Sequence, residues 1–322
     1  MQSRIIATGS HLPQKIVTNF DLIKTVDTSD EWIVERTGIT QRHIAAEDEL
    51  TSDLAAAAAK KAIANSGLKA EEIEMIIVAT TTPDLTFPAT ATTVQAKIGA
   101  KSAFAFDIQA VCSGFVFALT TADSFIKSGQ VKNALVIGAD KLSSIVNWQD
   151  RNTCVLFGDG AGAVILQATE DQNPNEKRGI IASSLYSDGT LNDILKTSGG
   201  VALNQKTGFI EMSGKEVFKH AVDKMVKSVI ATLAKAGLTT KDIDLLVPHQ
   251  ANLRILNAVA TRLELPEEKV IVTVQKHANT SAASIPLALD HANSQGKIKD
   301  GDVVVLEALG GGLTWGSVVL KW

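Results

Sequence analysis

Residues 64–82, ANSGLKAEEIEMIIVATTT, reappear in altered form as residues 234–252, AKAGLTTKDIDLLVPHQAN. Gly67 corresponds to Gly237, and a leucine and an isoleucine follow at matching positions in both stretches. In each stretch the end of a helical pattern precedes a short apolar run of the kind that forms a buried strand. The two parts of the chain therefore share one order of elements.

The repeat continues towards the end of each part. Residues 128–139, SGQVKNALVIGA, parallel residues 295–308, QGKIKDGDVVVLEA, where Gly129 corresponds to Gly296 at a slightly smaller offset. A glycine-rich turn then leads into a strand-like run in both parts, as GDGAGAVIL (158–166) and GGGLTWGSVVL (310–320). Three matches in the same order favour a duplicated chain.

Short apolar runs predict the strands of this repeat. They cover residues 75–81, 103–108, 134–139, 244–248, 270–274 and 303–309. Between them lie stretches with apolar residues at helical spacing, such as TSDLAAAAAKKAIANSG (51–67) and GKEVFKHAVDKMVKSVIATLAKAG (214–237). Alternation of strand and helix is typical of βαβ units, and it predicts an α/β fold with a buried parallel sheet.

The composition is that of a folded globular protein with a large core. The 322 residues are 45% hydrophobic and 20% charged, and the formal net charge of −4 gives no sign of nucleic-acid binding. Two cysteines do not make a disulfide framework. The chain opens on a strand-like RIIATG without a signal-peptide pattern, and no apolar run approaches the ~18–20 residues of a membrane helix. We expect a cytoplasmic protein that binds neither membranes nor nucleic acid.

One of the two cysteines has an unusual setting. Cys112, in FDIQAVCSGF (106–115), follows a strand-like run and precedes a helix-like one, among small residues. At the offset that relates Gly129 to Gly296 it corresponds to Asn279, so two helix N-termini are expected to face each other across a pseudo-twofold axis. His249 follows the strand-like DLLVP, which places all three residues at the carboxyl ends of predicted strands, where α/β proteins bind ligands.

A cysteine, a histidine and an amide in one place suit nucleophilic acyl transfer. A helix N-terminus and a nearby imidazole favour the thiolate of Cys112, which would take an acyl group as a thioester. His249 and Asn279 can donate hydrogen bonds to an oxyanion or enolate. The loop ALGGGLTWG (308–316) can bring a backbone N–H to the same carbonyl, because glycine allows close approach. The pattern itself names no substrate.

At these residues the chain resembles the β-ketoacyl-[acyl-carrier-protein] synthase III family, the initiating condensing enzymes of bacterial type II fatty-acid synthesis within the thiolase superfamily. The matching motifs are DEWIVERTGI (30–39), VCSGF (111–115), DRNTCVLFGDGAG (150–162), PHQANLRI (248–255), HANTSAASIP (277–286) and GGGLTWG (310–316). The resemblance implies an α/β, thiolase-like fold of two duplicated βαβαβαββ halves in five layers (αβαβα), and a homodimer. We expect the N-terminal half in residues 1–170 and the C-terminal half in residues 171–322.

The resemblance also implies a two-step reaction. Cys112 would attack acetyl-CoA and keep the acetyl group; malonyl-acyl carrier protein would then lose CO2, with His249 and Asn279 stabilising the enolate, and give acetoacetyl-acyl carrier protein. The backbone N–H groups of Cys112 and Gly312 would form the oxyanion hole. Elongating relatives have a second histidine and thiolases a second cysteine where this chain has Asn279, which favours the initiating type. No metal or redox cofactor is implied.

Further residues acquire binding roles from the same resemblance. Contacts to CoA are implied for Trp32, Arg36, Thr37, Arg151 and Asn252, with the adenine between Trp32 and Arg151. Phe87 would reach across the dimer and close the acyl pocket, which suggests a short primer. Lys215 and Arg254 would belong to a basic patch that meets the acidic acyl carrier protein.

Other interpretations remain open. A related acyl-CoA-using acyltransferase or specialised ketosynthase would pass the acyl group from the same cysteine to another acceptor, whereas an inactive scaffold would have no use for the three residues together. Taken singly, Asn279 can be an N-cap, Trp32 a packing residue and His277 a structural neighbour of the site. Cys154 is expected in the core. GDGAGAVIL lacks the third glycine of a dinucleotide-binding loop and leads into a strand, which argues against nicotinamide binding.

Overall fold

The computed structural model describes residues 2–169 and 178–322. The strands in this part of the chain are β1 (Gln2–His11), β2 (Lys15–Thr18), β3 (Gln41–Ile44), β4 (Met75–Ala79), β5 (Phe104–Ile108), β6 (Asn133–Lys141), β7 (Asp159–Thr169), β8 (Gly179–Ser187), β9 (Leu195–Thr197), β10 (Ile210–Met212), β11 (Leu245–Pro248), β12 (Val303–Gly310) and β13 (Thr314–Lys321). The helices are α1 (Asn19–Leu22), α2 (Asp30–Thr37), α3 (Thr51–Ser66), α4 (Thr90–Ile98), α5 (Gly114–Lys127), α6 (Val201–Asn204), α7 (Gly214–Ala236), α8 (Leu253–Arg262), α9 (Val274–His277) and α10 (Ser284–Ser294). The predicted boundary between residues 170 and 171 lies outside the described residues, so the division into two halves stays a prediction.

Two sheets carry the fold. The first has the strand order β1-β7-β6-β4-β5 and the second β8-β13-β12-β11. Strand β4 pairs in parallel with β5 and β6, and β11 pairs in parallel with β12, but β7 and β13 are antiparallel to both of their neighbours. The prediction of a parallel sheet is therefore wrong in part. No crossover α-helix lies between β6 and β7 or between β12 and β13, so each of these pairs runs antiparallel.

Sheets and helices alternate in five layers, αβαβα, which confirms the predicted thiolase-like fold. Helices α5 and α10 lie between the two sheets, and Phe115 and Leu119 of α5 share one buried cluster with Ile285 and Leu289 of α10. Helices α3 and α4 cover the outer face of the first sheet, and α7 and α8 cover the outer face of the second.

The outer helices show how the sequence sets these layers. Helix α3 buries alanines against the first sheet, and their short side chains let the helix approach the strands closely. Both α3 and α7 end at a glycine with positive φ, Gly67 at 77° and Gly237 at 73°. A left-handed residue after the last turn is a common helix end, so the glycines matched in the repeat mark equivalent helix ends, as predicted.

The duplication has a different register at the site from the one predicted. A 3₁₀ turn, Val111–Ser113, precedes α5 as Ser281–Ala283 precedes α10, and Val111 and Ser281 both have φ of 50°. The offset here is the one that relates Gly67 to Gly237, so Cys112 corresponds to Ala282 and not to Asn279. The smaller offset of Gly129 and Gly296 applies directly after these helices, because α10 has 11 residues where α5 has 14. The larger offset returns in the strands that follow, since Ile76 pairs with Leu135 in the first sheet and Leu246 pairs with Val305 in the second.

Residues 270–274 do not form the predicted strand. Val270 makes only an isolated parallel bridge to Leu246, and α9 begins at Val274. The side chain of the fully buried Gln250 accepts from the N–H groups of Thr273 (2.8 Å) and Val274 (3.1 Å). A side-chain amide thus binds backbone groups that a strand ladder would otherwise pair.

Candidate active site

Cys112, His249 and Asn279 line one cavity of about 840 Å³. Their exposed fractions are 6%, 2% and 7%, so the reactive groups are shielded from bulk solvent but reachable through the cavity. A volume of this size is typical of a small-molecule site. The structure brings together the three residues that the sequence singled out.

The nucleophile candidate sits on a strained turn against a glycine. Val111, directly before Cys112, has φ of 50°, a left-handed conformation that is rare for a β-branched residue and common at functional sites. Strand β12 approaches this turn so closely that a Cβ on Gly310 would lie 2.7 Å from the Cys112 backbone nitrogen. Only glycine allows that approach.

The thiol of Cys112 is held in its neutral form. Burial raises its pKa to about 12, the Asp140 carboxylate acts in the same direction, and the Ser281 hydroxyl opposes them. The start of α5 two residues later also favours the thiolate, but burial is the largest effect. Burial therefore opposes the effect expected from the helix N-terminus on this pKa.

His249 presents a neutral imidazole to the cavity. Its backbone N–H donates to Glu307 O (2.8 Å) and its Nδ1 lies 2.7 Å from Ser284 Oγ. The Ser284 oxygen already accepts from the Gln250 N–H (3.3 Å), so its own proton is available to Nδ1, which favours the tautomer with the proton on Nε2. Burial lowers the pKa of His249 to about 3. The arrangement suits a neutral hydrogen-bond donor.

Asn279 is oriented by its own backbone neighbours. Its N–H donates to Leu156 O (2.9 Å) and its carbonyl accepts from Gly158 N (3.0 Å). Its side-chain Oδ1 accepts from Ser281 N (2.9 Å), which directs the two amide N–H donors elsewhere. The N-cap of α10 is Ala283, so Asn279 does not serve as the N-cap of this helix.

The glycine-rich turn 310–314 is fastened to the turn that carries Cys112. The Thr314 hydroxyl donates to Ala110 O (3.0 Å) and lies 2.8 Å from Ser113 Oγ. Gly312 lines the cavity together with Cys112. The two residues predicted to supply backbone N–H groups to an oxyanion thus lie on linked turns of one site.

The predicted CoA contacts gather around Trp32. The guanidinium carbons of Arg36 and Arg151 lie 4.7 and 5.3 Å from the centre of its ring. Trp32 and Arg36 line the cavity, while Arg151 also donates to Asp27 O (3.1 Å). Two cations over one aromatic ring form a site that can stack a planar base and meet phosphate.

Thr37 and Asn252 also line the cavity but differ in what they can offer a ligand. The Thr37 hydroxyl donates to Ile33 O (2.7 Å) and accepts from Ile39 N (3.0 Å), so it is already engaged. Asn252 caps α8 by accepting from Ile255 N (3.0 Å), which leaves its amide N–H groups for a ligand.

The remaining predicted residues fall into two places. Lys215 and Arg254 line the cavity, and the Arg254 guanidinium lies 5.7 Å from the Phe218 ring. Phe87 lies outside this cavity, and it is 83% exposed. Within a single chain, Phe87 therefore does not close the acyl pocket.

Sequence reasoning missed four buried polar residues that organise the site, namely Asp140, Gln250, Ser281 and Ser284. Three of them stand inside the quoted motifs, and a charged residue at the end of the strand-like ALVIGA was a signal for the fourth. Among the described residues no group of His, Cys, Asp and Glu could hold a metal ion. No helix described in residues 2–169 and 178–322 has the length and hydropathy needed to cross a bilayer.

Comparison with known proteins places this geometry in context. Residues 106–189 match the family described as 3-oxoacyl-[acyl-carrier-protein (ACP)] synthase III, and residues 233–322 match its C-terminal family. The chain is 59% identical over 321 residues to β-ketoacyl-[acyl-carrier-protein] synthase III of Ehrlichia canis, covering 99% of each chain, and 57% identical over 314 residues to that of Rhodobacter capsulatus, covering 98% and 97%. The crystal structure of 3-oxoacyl-[acyl-carrier-protein] synthase III from Aquifex aeolicus superposes with a TM-score of 0.94 at 51% identity, over 99% of this chain and 100% of that one.

Proposed function

The chain belongs to the β-ketoacyl-[acyl-carrier-protein] synthase III family, the initiating condensing enzymes of fatty-acid synthesis, and on that premise we propose how its residues carry out the reaction. It is an acyltransferase that condenses acetyl-CoA with malonyl-acyl carrier protein. In our proposal Cys112 is the nucleophile and His249 and Asn279 are hydrogen-bond donors. The convergence of these three residues in one buried cavity carries the assignment.

In the first step the Cys112 sulfur bonds to the acetyl carbonyl carbon and the bond to the CoA sulfur breaks. The thiol proton leaves with CoA as its free thiol. Negative charge that develops on the carbonyl oxygen is stabilised by the backbone N–H groups of Cys112 and Gly312, whose turns Thr314 ties together.

In the second step malonyl-acyl carrier protein loses CO2 and forms an enolate. The Nε2–H of neutral His249 and the amide of Asn279 donate to the enolate oxygen, which is the role their fixed orientations support. The enolate carbon then attacks the acetyl thioester and expels the Cys112 thiolate. Since CO2 leaves uncharged, the thiolate takes up one proton from solvent and the cycle closes.

Acyl-CoA binding is assigned to the cavity wall that carries Trp32. The adenine would stack between Trp32 and Arg151, which requires Arg151 to swing outwards, because the guanidinium now lies 5.3 Å from the ring centre. Arg36 and Thr37 would bind the nucleotide, and the free amide of Asn252 would bind the pantetheine chain. No resident cofactor is needed, since CoA is part of a substrate.

The carrier protein is assigned to the side of the cavity with Lys215 and Arg254. Both residues line the cavity that the pantetheine arm must enter. A basic patch there complements an acidic carrier protein and would steer its approach. This basic patch also favours a carrier protein as the acyl acceptor. The alternative function, transfer of the acyl group to a different acceptor, gives no reason for such a patch.

A homodimer is proposed at the edge of the first sheet. Strand β5 is the last strand of that sheet, and its Phe104 is 45% exposed and stacks on Phe106 at an interplanar angle of 4°. Asp107 of the same strand binds the N–H groups that open α4, so the segment with Phe87 lies beside this edge. A second copy paired at β5 would cover the aromatic edge and receive Phe87. We also propose a cytoplasmic location, as the sequence predicts.

Intact-protein mass spectrometry tests the proposal. Incubation with acetyl-CoA is expected to add one acetyl group that maps to Cys112, and a chase with malonyl-acyl carrier protein should discharge it as acetoacetyl-acyl carrier protein. An adduct that survives the chase would favour a different acceptor. No adduct in the wild-type enzyme, or an undiminished one in Cys112→Ser, would overturn the assignment of the nucleophile.

A further inference from the structure

The duplication relates two contacts, one at the end of β6 and one at the end of β12. The offset that relates Cys112 to Ala282 also relates Asp140, near the end of β6, to Gly310, at the end of β12. Gly310 packs against the backbone nitrogen of Cys112 without a side chain. Asp140 fills the corresponding place with a carboxylate, whose Oδ2 accepts from the backbone N–H of Ala282 at 3.1 Å.

The surroundings of Asp140 are those of a bound anion. Its Oδ1 accepts from the backbone N–H groups of Thr81 (2.7 Å) and Thr82 (3.2 Å) and lies within 3.1 Å of two threonine hydroxyls. Burial raises the pKa of this carboxyl, and the N–H donors oppose that effect by binding the charged form. Both oxygens face backbone N–H groups, so a proton on either would displace one of these hydrogen bonds.

We propose that the Asp140 carboxylate is a built-in occupant of a second oxyanion hole, related by the duplication to the hole that receives the substrate, and that its charge keeps the Cys112 thiol protonated between turnovers. The inference rests on the proposed role of Cys112 as nucleophile. Asp140 is then a positioning residue: it contacts no substrate but acts through the turn that faces Cys112.

The turn between the two groups is the means of this coupling. Ser281 precedes Ala282, lines the cavity and is buried. It is near enough to lower the pKa of both Asp140 and Cys112, while the Asp140 charge raises that of Cys112. The other titratable side chains that line this cavity are neutral His249 and the charged Arg36, Asp150, Lys196, Lys215 and Arg254.

At the Cys112 site, Gly310 occupies the position equivalent to Asp140 and has no side chain. The Cys112 N–H can therefore receive the thioester oxygen that Asp140 excludes at Ala282. The site at Cys112 would then bind the substrate oxygen during the reaction. The equivalent site at Ala282 would hold the Asp140 carboxylate, whose charge influences the protonation of Cys112. The substrate oxygen and the Asp140 carboxylate play equivalent structural parts.

The test is the pH dependence of Cys112 alkylation by iodoacetamide, from about pH 6 to about pH 10, followed by mass spectrometry of the Cys112 peptide. Asp140→Asn keeps the shape and removes the charge, so the Cys112 pKa should fall by about one unit and alkylation should be about tenfold faster at pH 8. Ser281→Ala removes a group that lowers this pKa, so its alkylation should be slower than in the wild type. A nonspecific loosening of the structure would speed alkylation of Cys112 in both variants. Faster alkylation in one variant and slower alkylation in the other would therefore indicate a specific electrostatic effect.

Asp159→Asn is the matched control. Asp159 is also fully buried and accepts from the backbone N–H groups of Ala45 and Ser143, both at 2.8 Å. Unlike Asp140, it is not among the groups that shift the Cys112 pKa. Its alkylation profile should follow the wild type. A profile for Asp140→Asn that coincides with the wild type, or an equal acceleration in Asp159→Asn, would overturn the inference.

Two further measurements distinguish a failure of the Asp140 proposal from misfolding of a variant and from a failure of the proposed function. If Asp140→Asn does not fold, Ser281→Ala decides alone, and unchanged or faster alkylation in it would contradict the coupling. Acetyl labelling of wild-type Cys112 reports the proposed function independently. A labelled wild type with unshifted variant profiles therefore defeats only the role of Asp140.

Discussion

The Nδ1 atom of His249 lies 2.7 Å from the hydroxyl oxygen of Ser284, the first residue of α10. The same oxygen accepts from the Gln250 N–H, so it is fixed between the two residues that follow β11. Because a hydroxyl that accepts from an N–H still has its own proton to donate, Ser284 favours the His249 tautomer with the proton on Nε2. The orientation of the imidazole thus depends on a helix start 35 residues further along the chain.

Ser284→Ala should slow condensation and leave acetylation of Cys112 unchanged. Loss of one hydrogen bond worth about 1 kcal/mol frees the imidazole tautomer, and we expect condensation to fall by roughly fivefold. Single-turnover assays with acetyl-CoA and with malonyl-acyl carrier protein separate the two steps. Ser284→Thr retains the hydroxyl and should recover most of the rate; equal slowing of both steps in Ser284→Ala would argue against the assigned tautomer.

Alanine at His249 or Asn279 should spare the first step and impair the second. Each side chain donates to the enolate in our mechanism, and loss of one such donor typically costs ~10²–10³ in rate. The acetyl adduct should form in both variants and be discharged slowly by malonyl-acyl carrier protein. Loss of the acetyl adduct itself would assign these residues to the nucleophilic step instead.

Phe87→Thr should broaden the range of primers. If Phe87 of one copy closes the acyl pocket of another, a smaller side chain leaves room for longer acyl groups, and kcat/KM for longer straight-chain acyl-CoAs should rise relative to acetyl-CoA. Size-exclusion chromatography of the variant should show that any change is not due to a lost dimer. An unchanged chain-length profile would remove Phe87 from the pocket.

The two substrates should respond to different sides of the cavity. Arg254→Ala should raise KM for malonyl-acyl carrier protein several-fold, and more at low salt, whereas Trp32→Ala should raise KM for acetyl-CoA. Lys227→Ala is the control for charge, because Lys227 lies on α7 like Lys215, is 70% exposed and pairs with Asp223. Equal effects of Arg254→Ala and Lys227→Ala on the carrier protein would point to net charge and not to a patch.

Glu307 should make the enzyme less stable as the pH rises. The side chain is fully buried, neither carboxyl oxygen has a hydrogen-bond partner among the described residues, and burial raises its pKa from 4.5 to about 8. Between these values the folded state holds a proton that the unfolded state releases, so the free energy of unfolding falls with rising pH, by at most about 1.4 kcal/mol per unit.

Glu307→Gln removes this proton linkage and keeps the shape of the side chain. In thermal unfolding, the variant should match the wild type near pH 4.5 and exceed its Tm at pH 8. A constant difference in Tm across this range would show that Glu307 does not titrate as its burial indicates.

Much of the fold followed from the sequence because its signals are local. Helix α3 ends one residue before the glycine that the repeat identified, and β4 and β12 begin where the apolar runs begin. Residues 270–274 look like a strand for the same local reason, but the ladder they would need is partly replaced by the Gln250 side chain, a contact across 23 residues. Local pattern cannot reveal such a replacement.

The site shows the same division. Cys112, His249 and Asn279 were recognisable because their motifs and their places at strand ends are visible in the chain. The register that pairs Cys112 with Ala282 was not, because α10 is shorter than α5, and the match of Gly129 with Gly296 just after these helices therefore has a smaller offset. The pKa of Cys112 depends mainly on its burial, which its neighbours in FDIQAVCSGF do not reveal.

Helices α5 and α10 cover each other between the two sheets, and this has a consequence for synthesis on the ribosome. When β7 has emerged, every strand of the first sheet exists, yet the face of α5 that carries Phe115 and Leu119 still lacks the residues of α10 that will bury it. The apolar face of α5 is therefore uncovered in the nascent chain until α10 has been translated, close to the C-terminal end of the sequence. Among the described elements, only β12 and β13 are translated after the helix that completes the centre of the molecule.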